Sequence, residues 1–416
     1  MKIESEKDAF HLQDDARLKE SNIWFRYDSK NSYSIAALMP LVEAGIAHEP
    51  RDGIMLYSFA SAQAEEVYRE VSGAAVDAVF IAGGPHPSAL PEEVLEHFDF
   101  VVIGEGEETL PELLQVVIEG RDPATVKGIA YRQKDNHNHN HDHKNKYHEQ
   151  VMITEKRSPV DLDAYPPFSK ILAPLEISRG CPWGCTYCQT PRLFGTCMRH
   201  RSIPTIARYA RRHRDIRFTS PNSLAYGSDG RTPRLEKVQA LLEALAELKK
   251  PIYFGTFPSE VRPDFVSQAA LEIIVKYCAN RSLSLGGQSG SPAVLQSIGR
   301  GHGCTEVQEA CELALEYGLV PQVDLIFGLP SETEADQRLS LDLVRWIVSR
   351  GGKVRAHRFT PLPGTPLARA RPAPLAADVE ACLGRMALEG RLTGSWAEGK
   401  PGHDHERNSR SKGERD

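Results

Sequence analysis

Arg179-Gly180-Cys181-Pro182-Trp183-Gly184-Cys185-Thr186-Tyr187-Cys188 follows directly on a short apolar run, Leu175-Glu176-Ile177. Three cysteines at spacings of four and three, on a glycine-containing loop, suit three corners of a cubane [4Fe-4S] cluster and leave the fourth iron open to a substrate or cofactor. Structural zinc is the weaker reading, because tetrahedral sites use two separated ligand pairs or a nearby histidine, and no second pair stands out. Cys197, Cys278, Cys304, Cys311 and Cys382 have no ligand spacing. They read as small core residues, with Cys304, beside Gly301-His302-Gly303, the one candidate for a reactive thiol.

The run before the cysteines opens a series of similar runs: Ile216-Arg217-Phe218, Ile252-Tyr253-Phe254-Gly255, Leu283-Ser284-Leu285, Val323-Asp324-Leu325-Ile326-Phe327 and Val354-Arg355-Ala356-His357. Helical patterns over 235–248, 305–317 and 334–350 separate them. Six strand-helix repeats between 175 and 395 predict a (β/α) barrel, open or closed.

Upstream, the same alternation begins at Ile23-Trp24-Phe25 and continues through Ile54-Met55-Leu56-Tyr57, Ala78-Val79-Phe80-Ile81-Ala82 and Phe100-Val101-Val102-Ile103. Helices are expected over 36–44, 62–71, 92–97 and 110–118. This pattern predicts a doubly wound parallel sheet covered on both faces. Its strands end in small or polar residues: Ser58, then Gly83-Gly84-Pro85-His86, then Gly104-Glu105-Gly106-Glu107. In an open α/β sheet those ends form the ligand crevice, although glycines there also serve tight turns.

The predicted organisation is a flexible start (1–20), a Rossmann-like domain (21–133), a His/Asn-rich loop with a proline-rich linker (134–174), a barrel with a C-terminal extension (175–395) and a disordered tail (396–416). The five histidines between His137 and His148 alternate with asparagine and read as a solvated loop rather than a metal site. With 50 basic and 56 acidic side chains the net charge is −6. No global positive field draws the chain to nucleic acid or an anionic membrane. There is no run of eighteen apolar residues and no signal-peptide core, so a cytoplasmic protein is expected.

Cys181-x-x-x-Cys185-x-Tyr187-Cys188 matches the cluster motif of the radical S-adenosylmethionine (radical SAM) superfamily, which the chain resembles over most of residues 22–390. The resemblance implies that Cys181, Cys185 and Cys188 ligate the cluster and that the open iron chelates SAM. One electron then cleaves SAM to a 5′-deoxyadenosyl radical. Tyr187 would lie near the adenine. Gly287-Gln288-Ser289-Gly290-Ser291 looks like the segment reaching the SAM ribose and methionine. Ile326 and Leu329, within Val323 to Glu332, belong to a segment that looks like the adenine support. The Gly-Gly-Glu segment that usually holds the SAM amino group is replaced by Thr219-Ser220-Pro221-Asn222-Ser223. Glu260 and Arg262 carry complementary charges for an amino acid and are expected to take part of that role; a surface ion pair is the plainer reading of the same two residues.

The first domain is similar to the cobalamin-binding domain of one radical SAM class. Ser58, Gly83 and Gly84 would line the pocket for the nucleotide tail, with Gly104 and Glu105 in the next strand-end loop. The Asp-x-His-x-x-Gly loop that supplies the lower cobalt ligand is missing, and its position reads Tyr27-Asp28-Ser29-Lys30-Asn31-Ser32-Tyr33. The resemblance implies a [4Fe-4S] cluster, SAM and cobalamin as cofactors. It also implies an electron donor such as flavodoxin or ferredoxin, and a peptide, protein or small-molecule methyl acceptor.

The expected activity is therefore cobalamin-dependent methyl transfer to an unactivated carbon, for instance in a protein such as methyl-coenzyme M reductase. The alternatives are a radical SAM cyclase or rearrangement enzyme without cobalamin, and a non-catalytic iron-sulfur or cobalamin regulator. Methylthiotransferases resemble proteins with extra cluster cysteines before the barrel, and no cysteine precedes Cys181 here.

Overall fold

In the computed structural model, which describes residues 22–134 and 149–397, the chain splits into two units. Met1–Pro174 with Arg192–Gly195 forms the first, and Leu175–Pro191 with Thr196–Asp416 the second. The expectations for the first twenty residues, the histidine-rich insert and the tail beyond 397 fall outside the described residues.

The first unit carries β1 (Ile23–Arg26), β2 (Gly45–Ala47), β3 (Gly53–Ser58), β4 (Ala78–Gly83), β5 (Phe100–Val102), β6 (Ile129–Lys134) and β7 (Glu149–Ile153). They form one sheet in the order β2-β1-β3-β4-β5-β6-β7. Pairing is parallel as far as β5 and antiparallel for β6 and β7. Helices α1 (Ser32–Leu38), α2 (Ala64–Ser72), α3 (Pro85–Ala89), α4 (Pro91–Val94) and α5 (Gly106–Ile118) connect the parallel strands. The period-two geometry of a strand explains how the two faces are filled. Ile54 and Leu56 of β3 enter one core with Ile81, Val102 and Leu113, while Met55 and Tyr57 enter the other with Ala82, Val101 and Phe98. Truncating the fully buried Met55 to alanine should cost about 2–5 kcal/mol.

Helix α1 starts earlier than the sequence pattern suggests, because a 3-10 turn (Ser29–Asn31) leads straight into it; that turn has a capping box, in which the Asp28 carboxylate accepts from Lys30 N and the Asn31 amide oxygen from Asp28 N. Met39 is followed by Pro40, which lacks a donor and disfavours helix in the residue before it. Strand β7 lies where loop and linker were expected. Its Val151 packs on one core and Met152 on the other, which is enough alternation to add an edge strand.

The second unit contains β8 (Leu175–Glu176), β9 (Ser178–Arg179), β10 (Arg199–His200), β11 (Ile216–Thr219), β12 (Ile252–Tyr253), β13 (Ser282–Gln288), β14 (Val320–Phe327), β15 (Lys353–Arg358) and β16 (Leu392–Ser395). Its helices are α6 (Thr190–Phe194, shared with the first unit), α7 (Ile203–Ala210), α8 (Leu235–Ala246), α9 (Gln268–Tyr277), α10 (Pro292–Ser297), α11 (Cys304–Glu316), α12 (Glu334–Ser349) and α13 (Ala377–Leu388). Strands β8, β11 and β12 pair in parallel, as do β13, β14, β15 and β16. A parallel bridge from Val261 to Leu285 joins the two sets. No pairing among the described strands closes β8 onto β16, so the barrel is partial. It has one parallel strand more than the six expected, because β16 follows α13. Strands β9 and β10 form a small antiparallel ribbon at the entrance to the cysteine loop. No helix among the described residues is long and apolar enough to cross a membrane.

Candidate functional site

The carboxyl ends of the barrel strands enclose a cavity of about 460 Å³. Its wall holds Cys181, Cys185 and Cys188, with Trp183 and Tyr187 between them. The loop is pinned by backbone bonds from Thr186 N to Ile298 O (3.0 Å) and from Cys188 N to Cys185 O (3.2 Å). Gly180 opens it at φ +87°, a conformation that disfavours any side chain. Among the described residues no group of three or more His, Cys, Asp or Glu side chains is gathered as a single metal ion requires. A cubane differs, since each sulfur goes to a different iron and the three can stand farther apart. Three thiols on one wall with no fourth fit a cluster with an open corner better than a closed tetrahedral site. Burial pushes the Cys181 thiol up, and the Trp183 backbone and Arg262 oppose that shift.

Opposite charges surround these sulfurs. Arg300 donates from Nη2 to Gly286 O (2.8 Å) and from Nε to His302 Nε2 (3.0 Å), and its Nη1 lies 3.9 Å from Cys185 Sγ. Burial pulls its pKa down, but Tyr187, Cys185 and Glu260 outweigh this and the net shift is upward. Burial and the same guanidinium lower His302 to about 4, so its ring is neutral and accepts. A Cβ on Gly286 would stand 2.6 Å from Arg300 Nη2 and 2.8 Å from Gln288 Nε2, so a side chain there would push both from their positions. Glu260 is pushed well above the usual carboxylate range, by burial and then by Asp324. Arg355 bridges the two acids: it pairs with Asp324, its register neighbour, and with Glu260 Oε1 at 3.1 Å.

Gln288 is aimed into the cavity by a break in register between Gly286 and Gln288, which leaves it at φ +69°. Such strain in a non-glycine residue concentrates at functional sites. Ile326 also lines the cavity, as do Glu260 and Arg262. Ser289 and Leu329 stand off the wall. Beyond the bulge Ser289 turns inward to Ser340 Oγ (3.1 Å), and Leu329 is buried in a core with Val294, Leu295 and Phe359. Ser220 and Pro221 take the position after β11.

Arg300, the side chains of Asp324 and Arg355, and the cavity-lining His357 were not expected at the site; Thr360, which opens the 360–366 segment that resembles the close of the sixth strand in cobalamin-carrying members, also lines the cavity. Signals were present: Asp324 is the one charge inside an apolar strand, and Arg300 sits between two glycines. Cys304 does not look reactive, since burial raises its thiol. Cys278 and Cys311 are pushed by burial to about 12.

In the first unit the strand order reverses between β1 and β3, which places a crevice at their carboxyl ends. Ser58 ends β3 beside it, paired across β3–β4 with Gly83, and Gly84 follows. Gly84 has φ +97°, and a Cβ on it would lie 2.8 Å from Ser58 Oγ, so glycine lets the two loops close. Gly83 has only ordinary contacts. Ser88 Oγ accepts from Gly104 N (2.9 Å), while the Glu105 carboxylate is drawn off to Val160 N (2.9 Å). The 28–31 turn offers no imidazole. His86 is buried with both ring nitrogens engaged, by Tyr68 Oη (2.8 Å) and Ser61 Oγ (3.0 Å), and burial lowers its pKa. The strand ends thus present small residues and no histidine from the 28–31 turn.

Residues 175–344 match the family model of the radical SAM superfamily, and residues 39–114 match that of the B12 binding domain. Bacteriochlorophyllide d C-12(1)-methyltransferase of Chlorobaculum tepidum is 23% identical over 292 residues, 69% of this chain and 59% of that one. The tRNA-2-methylthio-N(6)-dimethylallyladenosine synthase of Aquifex aeolicus is 31% identical over 213 residues, 48% and 46% of the two chains. The chain spans about three fifths of the length of the curated relatives it matches first. The radical SAM methyltransferase TsrM from Kitasatospora setae, solved with cobalamin and a [4Fe-4S] cluster, shares the fold at a TM-score of 0.61 and 15% identity, over 84% of this chain and 77% of that one.

Proposed function

For a chain that joins a B12-binding domain to a radical SAM domain, we propose cobalamin-dependent methyl transfer to an unactivated carbon. The observation that carries this reading is the convergence of three cysteines, Glu260 and Arg300 on one cavity, in a chain whose other unit offers a glycine-lined strand-end crevice. When bound, the cluster with SAM supplies hydrogen-atom abstraction, and cobalamin supplies a transferable methyl group.

The chain's own residues do the positioning. Cys181, Cys185 and Cys188 hold the cluster and leave one iron open. Arg300 answers the SAM carboxylate, and Glu260 with Gln288 answers the ammonium and ribose. Tyr187 and Ile326 give the adenine an apolar wall. Ser58, Gly83 and Gly84 admit the nucleotide tail of cobalamin. A low-potential electron donor such as flavodoxin or ferredoxin completes the reaction. A peptide or protein acceptor such as methyl-coenzyme M reductase is the finer form of the proposal, tested by mass analysis after incubation with methyl-labelled SAM. The absence of cysteine before Cys181 argues against the second cluster that a methylthiotransferase reading needs.

The deciding experiment is anaerobic reconstitution with iron, sulfide and hydroxocobalamin, followed by metal analysis and absorption and paramagnetic resonance spectra. About four irons and one cobalt per chain support the proposal. Four irons without cobalt transfer it to a cyclase or rearrangement enzyme. Retained iron after replacement of all three cysteines by alanine overturns the cluster assignment.

A further inference from the structure

Trp183 and Arg262 form a stacked pair beside the cysteine loop. The Arg262 guanidinium carbon lies 3.7 Å from the Trp183 ring centroid. The indole is locked in place: Nε1 donates to Gly230 O at 2.9 Å, and Gly301 packs so closely that a Cβ there would fall 2.4 Å from the ring. Arg262 itself is 3% exposed. Its Nη2 pairs with Asp264 Oδ2 at 3.0 Å, while Nε and Nη1 are buried with no hydrogen-bond partner among the described residues.

A buried guanidinium with two unanswered donors is costly unless an anion stands beside it. Asp264 answers only Nη2; the cavity wall that Arg262 and Trp183 share also carries Cys181, Cys185 and Cys188, which in the reading above hold the anionic cluster. We propose that Arg262, held in orientation by Trp183, is a positioning residue for electron entry. Its fixed positive charge raises the reduction potential of the cluster. The balance is simple: a low-potential donor gives up one electron, and the cluster gains one negative charge. A positive charge fixed nearby in a poorly screened site stabilises the reduced state more than the oxidised one. Asp264, whose side chain is 22% exposed, offsets part of that charge.

This inference rests on the cluster assignment, and its test separates the two. The reconstituted protein, free of SAM, is titrated with dithionite while paramagnetic resonance follows the reduced cluster. Arg262→Gln should lower the potential, by about a tenfold fall in the reduced-to-oxidised ratio at fixed ambient potential, 59 mV for one electron. Asp264→Asn should raise it, and Arg262→Lys should stay near the wild type. Without SAM present, these shifts cannot come from a lost SAM contact at Arg262. Wild-type protein that binds no iron sinks the cluster assignment itself. Wild-type protein that binds iron, with Asp264→Asn unmoved or shifted downward, overturns the role of Arg262, and this arm decides even where Arg262→Gln fails to assemble.

Discussion

Replacing Arg300 with methionine keeps most of the side-chain volume and removes the positive charge that faces Cys185 and Glu260. Two consequences are separable. The Gly286 carbonyl loses its 2.8 Å donor and keeps the longer 3.2 Å contact to His302 Nε2, so the loss of one hydrogen bond costs about 0.5–1.5 kcal/mol of stability. The SAM carboxylate loses a charge-assisted hydrogen bond worth roughly 1.5–3 kcal/mol, or a 10- to 150-fold weaker Kd. The assay is anaerobic equilibrium dialysis of labelled SAM against reconstituted protein, with iron content and Tm measured on the same samples. Arg300→Lys retains the charge without the planar fork and should fall between the two. SAM affinity within twofold of the wild type, at unchanged iron content, would refute the assignment of Arg300 to the carboxylate.

Two further outcomes follow from buried groups outside the cavity. Glu332 is 5% exposed, Gly328 N donates to one carboxylate oxygen, the other is buried without a partner, and burial pushes its pKa up to about 7. The folded chain therefore binds a proton that the unfolded chain releases near pH 4.5. Stability should fall as pH rises from there to about 7, by an amount on the order of 3 kcal/mol. Glu332→Gln should flatten that part of the Tm-against-pH curve, and a variant with the wild-type slope would contradict the assignment. His86→Ala should cost about 1 kcal/mol by removing the partner of Ser61 and one of the two partners of Tyr68, which keeps Glu93, yet leave the Co(II) resonance spectrum unchanged. A lost axial nitrogen coupling would instead make His86 a cobalt ligand.

The cysteine loop and the barrel strands were legible because each depends on local pattern: ligand spacing in one case, apolar runs in the other. The charged wall was not. Arg300 and Cys185 are 115 residues apart and come within 3.9 Å only through the fold. The turn of Ser289 toward Ser340 was not legible for a related reason, since an irregularity at the end of β13 shifts the register there, and no residue type announces it. Strand β2 is three residues long, and β16 contains Gly394 at φ +113°. Neither has the periodicity that reveals a strand; pairing with β1 and β15 makes them strands.

The β6–β7 hairpin has a practical use. Its register runs from Ala130 opposite Ile153 to Lys134 opposite Glu149, so the two ends of the insert are already adjacent backbone partners. The span to be bridged is the same whether the fourteen intervening residues or only two join them. An Asn-Gly splice between Lys134 and Glu149 would satisfy the turn geometry. No residue of the cavity wall or of the Ser58–Gly84 crevice lies in that stretch. The hairpin is thus a grafting port, at which a reporter peptide can be exchanged for the native connection while both cofactor sites keep their sequence.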